Sequence, residues 1–158
     1  MRRFSYIILI ALLMIIGAAW GIARIEDGSC RALILNGQYD HALDSCKSMA
    51  KQGSAVAQFD LGWMYDYGKG VAQDYKKAAR WYRQSAEQGH IPAQYNLGWL
   101  YKLGDGVRQN NSQAYFWWGL AAIQGDAISA KNQKLLVEHM SAKELEQAQA
   151  LLSQGRQG

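Results

Sequence analysis

Ala57-Gln58-Phe59-Asp60-Leu61-Gly62-Trp63-Met64-Tyr65 recurs thirty-six positions downstream as Ala93-Gln94-Tyr95-Asn96-Leu97-Gly98-Trp99-Leu100-Tyr101. The two copies stay in step without a gap. Gly68, Gly70, Val71 and Gln73 answer to Gly104, Gly106, Val107 and Gln109, and Ala78, Trp81, Ala86 and Gly89 to Ala114, Trp117, Ala122 and Gly125. A fixed period of this length is the mark of a repeat architecture. Coincidences of Gly, Trp and Ala carry that inference further than coincidences of common polar residues would.

Each copy reads as a pair of helices. In the first helix Ala57, Leu61, Met64 and Tyr65 share one face at helical spacing. Gly62 lies beside that face. A helical glycine costs about 1 kcal/mol against alanine, so its presence predicts a neighbouring backbone too close for a side chain. Gly68-Lys69-Gly70 ends the helix, because glycine supplies the left-handed conformation of a helix exit. Asp74, and Asn110 or Ser112 in the next unit, are candidate caps for the second helix. That helix buries Ala78, Trp81, Tyr82 and Ala86 and stops at Gln88-Gly89, with Pro92 soon after. One such pair cannot cover its own apolar face; stacked pairs can.

These residues resemble the Sel-one-like repeat family, a relative of the tetratricopeptide repeats. The resemblance rests on the Ala-Gln-aromatic-x-Leu-Gly-x-x-Tyr run, the Gly-x-Gly-Val-x-Gln-Asp loop and the Lys-Ala-Ala-x-Trp-Tyr-x-x-Ser-Ala-x-Gln-Gly run of the first copy. The second copy departs from it with Asn110-Asn111 and the bulk of Trp117-Trp118-Gly119. The resemblance implies an all-α fold: a right-handed α/α solenoid of about three helix-turn-helix repeats with a C-terminal capping helix. Met140-Ser141 and Leu145 to Gln149 match the family's closing segment.

The flanks complete the layout. Arg2 and Arg3 precede a run from Tyr6 to Ala23 that holds no charge. Such a segment is a secretory signal or a membrane anchor, and it is just long enough to span a bilayer. Either way the basic end stays in the cytoplasm and the remainder is exported. The expected divisions are 1–23 signal or anchor, 24–53 a degenerate first repeat, 54–89 and 90–125 the two clear repeats, and 126–158 the capping helices. Six to seven helices are expected after Ala23. Cys30 and Cys46 are the only cysteines. An even pair in an exported domain reads as a disulfide, the alternative being two thiols packed in the core. Ser141-Ala142-Lys143-Glu144 has the pattern of a capping box.

Function is read partly by exclusion. Removing Arg2 and Arg3 from the 17 basic residues leaves 15 against 13 acidic ones, so the folded part carries no field that would draw nucleic acid. His41, His90 and His139 are scattered one per unit with no second ligand at metal spacing. Gly68-Lys69-Gly70 lacks the strand and the Gly-Lys-Ser/Thr ending of a phosphate loop. No catalytic residue, metal or cofactor is therefore expected. What remains is a surface. Opposite Leu61 lie Asp60, Trp63 and Tyr67, and their equivalents are Asn96, Trp99 and Leu103. On the concave wall of a solenoid these six would line a groove for a partner peptide or helix; the same spacing also suits rings packed between neighbouring first helices. The leading reading is a non-enzymatic interaction scaffold tethered by residues 1–23 to the inner membrane, its domain in the periplasm, or cleaved and periplasmic or secreted. The competing readings are a cell-wall hydrolase or peptidoglycan-binding factor, and an inhibitor or immunity-type protein.

Overall fold

Eight helices follow one another in the computed structural model, which describes residues 29–155; no strand occurs among the described residues. They are α1 (Cys30–Leu35), α2 (Tyr39–Lys51), α3 (Ala55–Tyr67), α4 (Tyr75–Glu87), α5 (Ile91–Leu103), α6 (Asn111–Ile123), α7 (Ala127–Val137) and α8 (Ala142–Gly155). The chain is an all-α solenoid. Eight helices exceed the six to seven expected, because the degenerate ends each supply a full pair. The predicted signal or anchor segment, residues 1–23, lies outside the described residues. Among those described, no helix is long and apolar enough to cross a membrane.

Local chemistry sets the helix ends. Ser54 caps α3 by accepting from the Ala57 amide, and Gly68 closes it in the left-handed region, φ 63°, donating its N–H to Met64 O. Asp74 caps α4 through the Lys77 amide at 3.0 Å, and Asn110, not Ser112, caps α6 through the Gln113 amide at 3.0 Å. Ser112 is instead buried, its hydroxyl donating to Glu144 O of α8 at 2.9 Å. The capping box forms: the Ser141 amide donates to Glu144 Oε2 at 2.8 Å, and the Glu144 amide to Ser141 Oγ at 3.3 Å.

The stack is a zigzag. α3 and α5 each pack against their own second helix and against the second helix of the preceding unit and barely touch each other, whereas α7 and α8 both pack on α6. The core follows the period. Ala42, Ala78 and Ala114 are fully buried, as are Leu61 and Leu97. Each of those leucines contributes about 2 kcal/mol by leaving water. Small residues let the second helices approach, and the leucines fill the layer between units.

Two details of the junctions differ from expectation. A Cβ on Gly62 would meet the Tyr82 ring at 2.7 Å, and one on Gly98 would collide with the Trp118 indole. The close neighbour is therefore an aromatic ring of the unit's own second helix, not a backbone. The close backbone approach occurs one loop later. Gly70, φ 69°, sits against Tyr39 O, where a Cβ would come to 2.8 Å, and Gly106, φ 67°, sits against the Tyr75 carbonyl. The second glycine of each loop thus seats on the first turn of the preceding unit's second helix.

At the N-terminal end Cys30 of α1 and Cys46 of α2 form a disulfide, sixteen residues apart. An end unit has a neighbour on one side only. A crosslink closing a loop of that size contributes about 3 kcal/mol in the chain-entropy account, which compensates for the missing packing.

Candidate functional site: clefts along the first-helix face

Three clefts follow one another along the face made by the first helices. The first, between α1 and α3, is bounded by Arg31, Leu35, Asp60 and Trp63. The middle one, between α3 and α5, has a volume of about 390 Å³ and takes in Asp66, Tyr67, Asn96, Trp99, Leu103 and Asp105. The third, between α5 and α7, is lined by Trp99, Lys102, Trp118, Leu135 and His139. They exist because successive first helices are held apart by the second helix wedged between them.

Of the six residues that the sequence singles out, Tyr67, Asn96, Trp99 and Leu103 meet in the middle cleft. Trp63 lies in the first cleft, half-buried, its ring 5.3 Å from Tyr67 and 6.3 Å from Tyr39 between centroids. Trp99 is also half-buried, edge-on to Trp118 at 5.2 Å. Both tryptophans thus pack on a neighbouring ring and keep one side in a cleft. Asp60 sits differently from an exposed polar anchor. It is 2% exposed, and its carboxylate is paired with Arg31 at 2.6 Å. The Arg31 guanidinium in turn lies over the Phe59 ring at 5.4 Å. Asp60 Oδ2 stands 3.6 Å from Cys30 Sγ; an oxidised sulfur carries no proton, so this is contact without a hydrogen bond. Burial pushes the Asp60 carboxyl up to about 6, against the opposing pull of Arg31. Phe59 and Tyr95 are half-buried, and Phe59 stacks on His90 at 4.9 Å.

A polar network underlies the middle cleft. The buried Tyr82 hydroxyl donates to Asp66 Oδ2 at 3.0 Å, and Asn96 reaches the same hydroxyl. Burial, then the charge of Asp66, raises Tyr82 and keeps its proton in place. Burial also raises Asp66, and nearby Asp105 adds to the rise. Neither Asp66 nor Asp105 has an ion pair; among the described residues the ion pairs are Arg31 with Asp60 and Lys77 with Asp74. In the second repeat Trp118 replaces Tyr82, and its Nε1 donates to Tyr95 O at 3.0 Å.

The residues missed from sequence are Arg31, Leu35, Asp66, Asp105 and Leu135. A signal for two of them was present in the repeat alignment: Asp66 and Lys69 of the first copy answer to Lys102 and Asp105 of the second, an exchange of charge at matching positions. Also missed was a buried glutamine clamp. Gln58 Nε2 donates to Ala50 O at 3.2 Å and its Oε1 accepts from Gln88 at 2.6 Å; Gln94 repeats this with Ala86 O at 3.1 Å and Gln124 at 2.8 Å. Each clamp ties a first helix both to the last turn of the preceding unit and to the end of its own second helix. Among the described residues no cluster of three or more His, Cys, Asp or Glu side chains is placed to hold a metal ion. Nothing in the three clefts pairs a nucleophile with a base.

Comparison with known proteins agrees with the fold. The Sel1 repeat model matches residues 55–90 and 91–126. Among solved structures the chain is similar to a protective antigen present in uropathogenic Escherichia coli strains that displays an SLR fold, at 30% identity and a TM-score of 0.77, over 84% of this chain and 30% of that one. It is similar to a Sel1 repeat protein from Oxalobacter formigenes at 30% identity and a TM-score of 0.66, over 80% of this chain and 54% of that one. Helicobacter pylori cysteine rich protein B is similar at 25% identity and a TM-score of 0.61, over 65% of this chain and 78% of that one. The chain thus spans 30% of the first of these and 54% of the second. No curated protein matches the chain significantly.

Proposed function

This chain is a Sel1-like repeat protein, and on that premise we propose that it is a non-enzymatic scaffold whose first-helix face, the concave wall of the solenoid, grips a peptide or helix of another protein. Sel1 repeat proteins are in general protein-interaction modules without catalytic activity. One observation carries the reading to this face. Leu35, Tyr67 and Leu103 end α1, α3 and α5, and they are 75%, 59% and 60% exposed. Single exposed apolar residues are ordinary. Three at the same place in three consecutive units, each at the rim of a cleft, form a row that a partner would cover. Trp63 and Trp99 stand behind the row, and aromatic side chains of this kind dominate interface energies.

Residues 1–23 tether the domain to the inner membrane on its periplasmic side. Support comes from the Cys30–Cys46 disulfide, since such bonds persist in oxidising compartments. The test is affinity capture from solubilised membranes with the wild type beside Trp63→Ala plus Trp99→Ala. The scaffold reading expects a partner that the wild type retains and the variant loses while keeping its helical circular-dichroism spectrum. An unchanged partner set, or turnover of a cell-wall substrate by the purified protein, overturns it.

A further inference from the structure

The middle cleft differs from its neighbours in charge. Asp66 enters from the last turn of α3 and Asp105 from the loop after α5, so two repeats each contribute one carboxylate. The backbone adds to this. The C-terminal end of a helix carries roughly half a negative charge, and α3, which ends here, has no basic residue in its last turn. The basic residue in the last turn of α5, Lys102, lines the third cleft. Lys69, the counterpart of Asp105 in the first repeat, lies over the Tyr39 ring of the preceding unit at 5.8 Å. The field at the middle cleft is therefore negative from three sources, with no cation within ion-pair distance of either carboxylate. Around the carboxylates the walls are apolar: Tyr67, Trp99 and Leu103.

That combination selects its occupant. A hydrated small cation is a poor match for aromatic walls, and two carboxylates without a third donor make a weak metal cage. A Lys or Arg side chain matches both parts: its methylene stem lies on rings and leucine, its charged head meets the carboxylates, and cations favour the faces of Trp and Tyr. The first and third clefts, with Leu35 and Leu135 at their rims, are mainly apolar; the first holds only the paired Arg31 and Asp60, the third holds Lys102, and neither carries an unpaired carboxylate. We propose that the middle cleft receives a lysine or arginine side chain of the partner segment, flanked on either side by apolar residues seated in the neighbouring clefts. This rests on the reading of the first-helix face as a binding groove and names the chemistry of what it binds.

The experiment is selection of phage-displayed random dodecapeptides on the full chain in detergent micelles, counter-screened on Trp63→Ala plus Trp99→Ala to keep peptides that use the groove. Selected peptides are expected to share a Lys or Arg at a fixed place between apolar residues. Replacing that residue by Gln in the synthetic peptide should weaken binding at least tenfold. Asp66→Asn plus Asp105→Asn should weaken the parent peptide by a similar factor, and the Gln peptide should then lose little more. Asp66→Asn keeps a side-chain oxygen that accepts from the Tyr82 hydroxyl, so the fold is preserved, and circular dichroism checks it. Groove-dependent peptides with no fixed basic residue overturn the cationic assignment and leave the groove intact. So does an undiminished Gln effect on the doubly neutralised protein. If no selected peptide depends on Trp63 and Trp99, the groove reading fails and the assignment with it.

Discussion

The two central repeats share a skeleton and differ in charge. Both set a glycine of the first helix under an aromatic ring of the second, Gly62 under Tyr82 and Gly98 under Trp118. Both clamp a buried glutamine to the preceding unit. Yet Asp60, Asp66 and Lys69 of the first become Asn96, Lys102 and Asp105 of the second. The glycine–ring contacts fasten the two helices of a unit and the glutamine clamps fasten a unit to the one before it, so each skeleton position is held by packing. Among the exchanged positions Asp66, Asn96, Lys102 and Asp105 line the clefts, Lys69 lies exposed over Tyr39, and only Asp60 is buried. A repeat can therefore vary its binding chemistry without disturbing its stacking, provided the variation stays off the junctions.

The largest effect should come from a junction. Gly106 and Gly70 occupy matching places in the two loops, both in the left-handed region and both against the backbone of a second helix, but the approach is closer at Gly106. Gly106→Ala is expected to destabilise the protein by about 3 kcal/mol, since it adds backbone strain to a collision that no side-chain rotation relieves. Gly70→Ala should cost about 2 kcal/mol by the same reasoning with a lesser overlap. Urea unfolding of the two variants measures both. Near-equal costs below about 1 kcal/mol would mean that the loops do not set the distance between units.

Comparing the same two repeats shows how far sequence alone reaches. The period, the helix pairs, the capping box and the Cys30–Cys46 bond are legible because each rests on local spacing or on a pair of like residues. Gly62 was legible as a point of close approach, but a lone sequence cannot say whether a ring or a backbone approaches it. Tyr82 and Trp118 supply the answer only in three dimensions. Asp60 reads as a surface anchor by helical phase, and it is buried because Arg31 comes from a unit whose first helix is short and off-period. Gln58 and Gln94 are each held between two helix ends, the Ala50 or Ala86 carbonyl eight residues back in the preceding unit and the Gln88 or Gln124 amide thirty residues on in their own, a pairing that no local spacing announces.

Asp60 and Asn96 provide the next test, because Asp60→Asn gives the first repeat the second repeat's residue. The Asp60 carboxyl is held near 6 in the folded chain against 3.8 ordinarily. An acid whose folded value lies above its unfolded value binds its proton more tightly when folded. Its contribution to stability therefore falls as pH rises from about 4 to about 6 and is flat above, the reverse of a salt-bridged acid held below its ordinary range. Across pH 4 to 7 this amounts to about 2 kcal/mol. The wild type should lose that much more stability than Asp60→Asn over the same range. Asp66, raised in the same direction, and Glu144, lowered, are common to both proteins and cancel on subtraction. Parallel stability curves would mean that Arg31 holds Asp60 ionised at low pH despite its burial.

The smallest effect is the most informative about the clefts. Lys69→Asp and Lys102→Asp each give one repeat the charge its counterpart carries, the first at the loop and the second at the last helical turn. Lys69 is exposed and loses only its place over Tyr39, worth about 0.5 kcal/mol at a solvated site. Lys102 makes no ion pair; its influence on Glu144 is at a distance. Each variant should therefore unfold within about 0.5 kcal/mol of the wild type. If so, the alternation of charge along the first-helix face is not what holds the stack together, and the contrast between an acidic middle cleft and its neighbours is available for discriminating partners. A cost above about 1 kcal/mol for either would move that alternation from recognition to architecture, because cleft charge and unit stacking would then be coupled.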